Sequence, residues 1–228
     1  MTDYVVATIK PWNLSEFRRR VVGWPGNWHL LTEEDQLDLD WLCDLKPRFV
    51  FFPHWSWRVP NEVLTAIECV CFHMTDVPYG RGGSPLQNLI VRGHEVTKVS
   101  ALRMVEAMDA GPVYVKRSMP LHGSAQEIFQ RVSGVVFDMI EEIVRQELVP
   151  EEQQGEVTVF SRRHPEQSRM PEEGRLREVF DHIRMLDADS YPHAYMDHGN
   201  FRLEFTSATF DETELEARVH ISLKGDDE

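Results

Sequence analysis

Short apolar runs alternate with helical segments along the first half of the chain. Runs rich in β-branched and aromatic residues predict strands at residues 4–9, 28–31, 48–52 and 69–72. Helices are predicted between them at residues 13–22, 32–45 and 60–67, the second beginning after an N-cap at Thr32. This alternation is typical of βαβ units in a parallel sheet, where ligands bind at the carboxyl ends of the strands. We therefore expect an α/β fold with a site just past residues 52 and 72.

The pattern changes in the second half. Strands are predicted at residues 96–104 and 113–119, followed by a long amphipathic helix at 124–148 with a capping box formed by Ser124 and Glu127. Residues 150–155 are typical of a linker. Beyond them, a helix at 175–186 and strands at 201–205 and 217–223 predict a small α+β appendage. We therefore divide the chain into residues 1–150 and 151–228.

Composition and charge narrow the possible partners. The chain has 228 residues, 42% of them hydrophobic, which is enough to bury a core. Its formal net charge is -14, and residues 141–228 hold 22 Asp and Glu against 10 Lys and Arg. Because nucleic-acid affinity depends largely on cationic side chains, we expect no nucleic-acid partner.

Targeting and metal signals are weak. The chain shows no export signal and no apolar stretch long enough for a bilayer, so we expect a cytoplasmic protein without a membrane anchor. Its three cysteines, Cys43, Cys69 and Cys71, lack the paired spacing of zinc sites and favour neither a disulfide framework nor a metal centre.

Two local motifs carry the candidate chemistry. His73 ends a predicted strand and precedes the loop at residues 77–85, where three glycines allow sharp turns and a close approach to a ligand. Asp109 follows a later strand, in Asp109-Ala110-Gly111. A histidine and a carboxylate are suited to acid–base catalysis. No Gly-rich dinucleotide loop follows the first strand, so a nicotinamide site has no support.

Taken in order, these motifs resemble the signature of the folate-dependent formyltransferases. The matching elements are Phe72-His73, Val77-Pro78, Arg81-Gly82, Pro85 and Asp109-Ala110-Gly111, within a resemblance from about residue 48 to about residue 143. The resemblance implies a Rossmann-like, mostly parallel sheet and transfer of a formyl group from 10-formyltetrahydrofolate to an amine. It also implies that His73 stabilises the oxyanion and shuttles protons. Asp109 would orient or deprotonate His73, or deprotonate the amine through water.

One position departs from the family pattern. The family places Asn where this chain has Cys71, and a thiol is a weak hydrogen-bond donor. Three explanations stay open: another side chain supplies the donor, His73 and backbone amides suffice, or the protein is not a competent transferase. Our candidate for a replacement donor is Asn88. Cys71 itself is more typical of a small buried hydrophobe than of a nucleophile.

The resemblance also places the folate site. Aromatic faces suit a flat pterin ring, and two segments would form the walls of its pocket. The candidate cofactor-binding residues are Trp55, Ser56, Trp57, Val105, Met108 and Asp109.

The acceptor is inferred from the C-terminal part. Residues 161–168 and 183–194 look similar to segments of formyltransferases that act on nucleotide-linked amino sugars for surface polysaccharides, whereas methionyl-tRNA formyltransferases carry a longer, basic C-terminal domain. A nucleotide sugar needs cations or backbone amides near its phosphates, and Lys10, Arg81 and Gly82 are the candidates. Another small amine, such as an amino acid or a ribonucleotide, and a non-catalytic folate- or nucleotide-binding relative remain alternatives. The edges of the C-terminal strands predict a homodimer.

Overall fold

The computed structural model describes residues 1–189 and 191–224, which form eleven strands and six α-helices. The strands are β1 (Asp3–Ala7), β2 (Asn27–Leu31), β3 (Phe49–Phe52), β4 (Cys69–His73), β5 (Arg81–Gly82), β6 (Val96–Arg103), β7 (Val113–Pro120), β8 (Val159–Phe160), β9 (Ala194–His198), β10 (Phe201–Phe210) and β11 (Leu215–Leu223). The helices are α1 (Pro11–Arg20), α2 (Leu39–Leu45), α3 (Asn61–Ala66), α4 (Pro85–Val91), α5 (Ala125–Gln146) and α6 (Leu176–Arg184).

Six strands form the central sheet, in the order β2-β1-β3-β4-β6-β7. The first four are mutually parallel, and β6 runs antiparallel to both β4 and β7. β3 is buried along its whole length, and β1 from its second residue onward, as expected for parallel strands covered on both faces. The predicted α/β fold with a mostly parallel sheet is confirmed.

Helices cover both faces of this sheet. Val6, Phe51 and Val70 point into the larger core cluster, to which the long helix α5 contributes, while Val5 and Val50 point into a smaller cluster with α2 and α3. Adjacent residues face opposite sides because side chains alternate along a strand. The resulting two-sided packing fixes β4 in the middle of the molecule, with His73 at its carboxyl end.

Two helices begin two or more residues away from the predicted position. The second helix begins at Leu39, not after Thr32, because the Asp38 carboxylate caps it by accepting a hydrogen bond from the Trp41 amide at 2.7 Å. The Thr32 amide instead donates to the side chain of Gln36. Helix α1 begins at Pro11, two residues earlier than predicted, since proline is favoured at the first helical position.

The C-terminal part contains α6 and a three-stranded antiparallel sheet in the order β11-β10-β9. The predicted helix and two strands are present, and β9 is an additional strand whose sequence mixes polar and apolar residues. The capping box of α5 is also present as predicted. Within the described residues, no helix has the length and apolar character that crossing a bilayer requires.

Candidate active site

His73 is the last residue of β4, and its side chain is only 9% exposed. Its Nε2 lies 2.7 Å from the Gly80 carbonyl oxygen, which can only accept, so this nitrogen carries a proton and donates. The other ring nitrogen, Nδ1, lies 3.5 Å from Oδ2 of Asp109. Because Nε2 is committed to Gly80, Nδ1 is the ring atom free to exchange a proton with a substrate or with the carboxylate.

Asp109 lies in the loop between β6 and β7, in a left-handed backbone conformation with φ +53°. Its Oδ2 accepts a hydrogen bond from the Gly82 amide at 2.9 Å. Two residues later, a Cβ at Gly111 would lie 1.8 Å from the Arg103 carbonyl oxygen, so only glycine fits there. The Asp109-Ala110-Gly111 motif is thus a turn that brings a carboxylate to both His73 and the glycine loop.

The glycine loop, residues 77–85, is held by a later part of the chain. β5 within it pairs in parallel with β8, and the Phe160 carbonyl accepts a hydrogen bond from Gly83 at 3.1 Å. Gly82 has φ +103°, and a Cβ there would lie 2.5 Å from the Phe160 carbonyl oxygen. The glycines therefore permit close backbone packing that fixes the loop beside Asp109.

Two cavities meet at His73. The larger has a volume of about 630 Å³ and contains every residue that the sequence suggested for the cofactor, together with Gly82 and Cys71. Trp55 and Trp57 contact each other there, with ring centroids 4.8 Å apart at 66°. The structure thus assembles two predicted walls from segments far apart in the sequence.

The smaller cavity, of about 300 Å³, is also lined by His73 and is rich in aromatic side chains. Phe129 stacks on Trp12 and on Tyr191, with centroid distances of 5.9 and 5.2 Å. His54 Nε2 lies 3.2 Å from the Tyr191 hydroxyl. Burial, with a smaller effect of the Lys10 charge, lowers the pKa of His54 to about 4, so this ring is neutral near pH 7.

The two side chains suggested as phosphate-binding cations, Lys10 and Arg81, have different surroundings. Lys10 Nζ lies 5.3 Å from the centre of the Tyr191 ring and 5.8 Å from that of Trp12, and burial lowers its pKa. It therefore stands beside the smaller cavity. The Arg81 guanidinium instead donates to the side-chain oxygen of Gln153, from Nε at 3.1 Å and from Nη2 at 2.8 Å.

The structure corrects the role expected of Asn88. Its Nδ2 lies 3.1 Å from the Gly83 carbonyl oxygen and 3.0 Å from those of Ser84 and Ser161, and its Oδ1 accepts from Arg92. The amide group is thus occupied by the backbone and cannot donate to an oxyanion at His73. Asn88 instead ties the glycine loop to residue 161.

Cys71 lines the larger cavity, but its thiol is inert. Burial, followed by the negative charge of Asp109, raises the pKa of this thiol above the usual range. A neutral thiol is a poor nucleophile and a weak donor. The geometry therefore favours the small-hydrophobe interpretation of Cys71.

Sequence reasoning gave no role to Gln153 or Arg162. Gln153 lies in the segment predicted as a linker, whose polar composition suggested solvent rather than a site. Arg162 lines both cavities together with His73. Residues 161–168, which include Arg162, resemble a segment of formyltransferases that act on amino sugars. Nothing local in the sequence indicates that this segment returns to the end of β4. Among the described residues, no cluster of His, Cys, Asp and Glu is arranged to hold a metal ion.

Comparisons with known proteins identify the family of this chain. The family model for the C-terminal domain of methionyl-tRNA formyltransferase matches residues 165–222. The solved structure of a methionyl-tRNA formyltransferase from Clostridium thermocellum is 41% identical, with a TM-score of 0.94, and the match covers 98% of this chain and 100% of that one. The chain belongs to the formyltransferase family. Within this family it is similar to methionyl-tRNA formyltransferases.

Other relatives of this formyltransferase-family chain match less of its length or share less sequence. A methionyl-tRNA formyltransferase from Sinorhizobium medicae (strain WSM419) is 33% identical over 138 residues, which are 56% of this chain and 44% of that protein. The chain spans only about half the length of such curated relatives. A sugar N-formyltransferase from Shewanella sp. FDAARGOS_354 shares the fold, with a TM-score of 0.66 at 14% identity over 86% of this chain and 92% of that one.

Proposed function

We propose that the protein transfers the formyl group of 10-formyltetrahydrofolate to the amine of a nucleotide-linked amino sugar. The observation that carries this proposal is the position of His73, which lines both cavities. Direct group transfer requires two bound molecules whose reacting atoms meet beside a group able to move a proton. His73 and Asp109 provide that group where the cavities meet.

The larger cavity fits a folate. Trp55 and Trp57 present aromatic faces, and the indole nitrogen of Trp55 is buried without a hydrogen-bond partner in the described residues. A buried donor of this kind costs free energy unless a ligand supplies an acceptor. The heteroatom-rich pterin ring of a folate offers both a flat face and acceptors.

His73 and Asp109 would carry the proton chemistry. When the amine attacks the formyl carbon, a C–N bond forms, the formyl oxygen gains negative charge and the amine nitrogen must lose a proton. Nδ1 of His73 can take that proton, since Nε2 is held by Gly80, and the Asp109 carboxylate stabilises the resulting imidazolium. The same proton can then pass to the folate nitrogen as its bond to the formyl carbon breaks. The charge of the protonated ring stabilises the oxyanion, which the Cys71 thiol cannot do.

The smaller cavity supports a sugar acceptor. Trp12, Phe129 and Tyr191 give this cavity aromatic walls against which a sugar ring or a nucleotide base can pack. Lys10 stands over two of these rings, and Arg162 lines the same cavity. Cations beside aromatic rings suit the phosphates of a nucleotide-linked sugar. The fold is shared both with the Shewanella sugar N-formyltransferase and with the Clostridium thermocellum methionyl-tRNA formyltransferase, so this proposal depends on the cavity lining and not on the fold.

A second acceptor class is favoured by one observation. Four aliphatic side chains line the smaller cavity near His73, namely Met74, Leu86, Val132 and Val136. Such a lining suits the side chain of an apolar amino acid whose α-amine is formylated. The acidic charge of residues 141–228 disfavours an acceptor carried on a nucleic acid.

The two acceptor classes can be separated directly. The full-length protein is incubated with 10-formyltetrahydrofolate and either nucleotide-linked amino sugars or apolar amino acids, and formylated product is detected by mass spectrometry. We expect product with at least one nucleotide-linked amino sugar, and far slower formation of that product with His73→Asn. Product with amino acids alone would establish the second class. Folate binding without turnover of any acceptor would overturn the transferase proposal and indicate a non-catalytic relative.

A further inference from the structure

Gln153 connects the two motifs of the candidate site. Its Oε1 accepts two hydrogen bonds from the Arg81 guanidinium, at 3.1 and 2.8 Å. Its Nε2 donates to the carbonyl oxygens of Asp109 at 2.8 Å and Gly111 at 2.7 Å. A side-chain amide offers two hydrogens and two lone pairs, so this one is fully used.

The positions of these partners matter for His73. Arg81 directly precedes Gly82, whose amide donates to the Asp109 carboxylate. The Asp109 and Gly111 carbonyls belong to the turn that carries this carboxylate toward Nδ1 of His73. Gln153 therefore binds on both sides of the Gly82–Asp109 hydrogen bond. On the donor side it contacts the side chain of Arg81, and on the acceptor side it contacts the backbone of Asp109.

We propose that Gln153 is a positioning residue that sets the separation between the Asp109 carboxylate and His73. Aspartate tolerates the left-handed backbone found at Asp109, but this conformation is still less favourable than the right-handed one, so hydrogen bonds to the turn help to hold it. The two bonds from Nε2 of Gln153 provide this support. Without these bonds the turn can relax, and the carboxylate moves away from Nδ1.

Arg81 has a corresponding role. A guanidinium can only donate, so it fixes which end of the Gln153 amide is the oxygen. Once Oε1 faces Arg81, Nε2 must face the two carbonyls. Arg81 thus orients Gln153, which gives this cation a task that does not require contact with the acceptor.

A pair of glutamines offers a matched test. Gln153→Glu keeps two oxygens for Arg81 but removes both donors to Asp109 and Gly111, whereas Gln154→Glu introduces the same charge at the exposed neighbour and serves as the control. The first readout is the amide resonance and hydrogen exchange of Gly82 by NMR, which reports the Asp109 contact without any turnover. We expect faster exchange and a shifted Gly82 resonance in Gln153→Glu and no change in Gln154→Glu.

The second readout depends on the proposed function. In Gln153→Glu, kcat should fall on the order of 10–100-fold with a smaller change in KM for the folate, as expected for misplacement of a catalytic group. Circular dichroism on heating verifies that the Gln153→Glu variant is folded. If it is not, Arg81→Ala serves as the test variant, because it leaves Gln153 without its orienting donor. The Gly82 amide should then exchange faster in Arg81→Ala than in the wild type.

The two readouts separate the possible failures. An unchanged Gly82 amide in the folded variants overturns the role of Gln153, whatever the activity. Wild-type protein without turnover, together with a displaced Gly82 amide, contradicts the transferase proposal and leaves the positioning role supported.

Discussion

The Oδ2 atom of Asp109 lies 3.5 Å from Nδ1 of His73 and, at 2.9 Å, accepts the amide hydrogen of Gly82. One carboxylate oxygen thus connects the end of β4 with the glycine loop. Both side chains are largely buried, with exposures of 9% for His73 and 13% for Asp109. A carboxylate held in this way faces the histidine ring rather than solvent.

We expect His73→Asn and Asp109→Asn each to lower kcat by about 10²–10⁴-fold, because each removes one member of the proton-transferring pair. Steady-state formylation assays measure this effect, and thermal unfolding verifies the fold. His198→Asn, an exposed histidine on β9, is the control and should keep wild-type activity. Retention of near-wild-type kcat in either site variant would contradict the mechanism.

Asn88→Ala should destabilise the protein by about 1–3 kcal/mol, because the carbonyl oxygens of Gly83, Ser84 and Ser161 lose their hydrogen bonds from the Asn88 side chain. Asn88→Asp should cost more, since its negative charge would face those carbonyl oxygens. Urea unfolding of both variants measures the free energy of unfolding. If Asn88→Ala keeps the wild-type stability but has a kcat as low as that of His73→Asn, Asn88 would be an oxyanion donor after all.

The parts of the fold and site that could be predicted are those set by local sequence. Alternating apolar runs predict the strands of the central sheet, because burial on both faces requires apolar residues in unbroken runs. Likewise, a strand end places His73, and the turn chemistry around Gly111 places Asp109. The six candidate folate residues lie in the segments that follow β3 and β6, the two strands that flank β4 in the sheet.

What the sequence does not reveal are choices between local partners and contacts made at long range. Thr32 and Asp38 are both good N-caps, and only the hydrogen bond to Trp41 selects Asp38. Asn88 could point to the cavity or to the loop, and packing of residue 161 against the loop decides. Gln153 and Arg162 reach the site only because a polar segment folds back onto β5, which no local pattern encodes.

Stability should fall in mild acid because of His54. Its pKa is lowered to about 4 in the folded protein from an ordinary 6.5, so the unfolded chain takes up the proton first as the pH falls. The stabilisation is complete above about pH 6.5 and is lost as the pH approaches 4. We expect about 1–2 kcal/mol of the loss between pH 7 and pH 5 to come from this group.

His54→Asn tests this assignment, since asparagine tolerates the left-handed backbone of His54, with φ +57°. Urea unfolding at the two pH values should show a smaller loss of stability in the variant. Equal losses in both proteins would mean that another group causes the acid sensitivity.

The homodimer prediction now has a defined surface. Cross-strand pairing of Phe201 with Leu223 and of Leu203 with Ile221 places these side chains on one face of the C-terminal sheet, and Ile221 and Leu223 are 60% and 69% exposed. We expect the wild type to be a dimer by light scattering and the Ile221→Lys, Leu223→Lys double variant to be a monomer. His220→Lys, on the opposite face of β11, should remain a dimer. A monomeric wild type at working concentration would contradict the prediction.

The pairing of β5 with β8 bears on how such proteins can be recombined. Residues 153–163 supply Gln153, the Phe160 carbonyl and Arg162 to the glycine loop and the larger cavity, whose other residues lie before residue 112. A chimera joined at residue 150 would replace these contacts with those of another parent and disturb the loop around Gly82. A junction just after residue 163 would leave them intact, so specificity could be exchanged there while the transfer machinery is inherited whole.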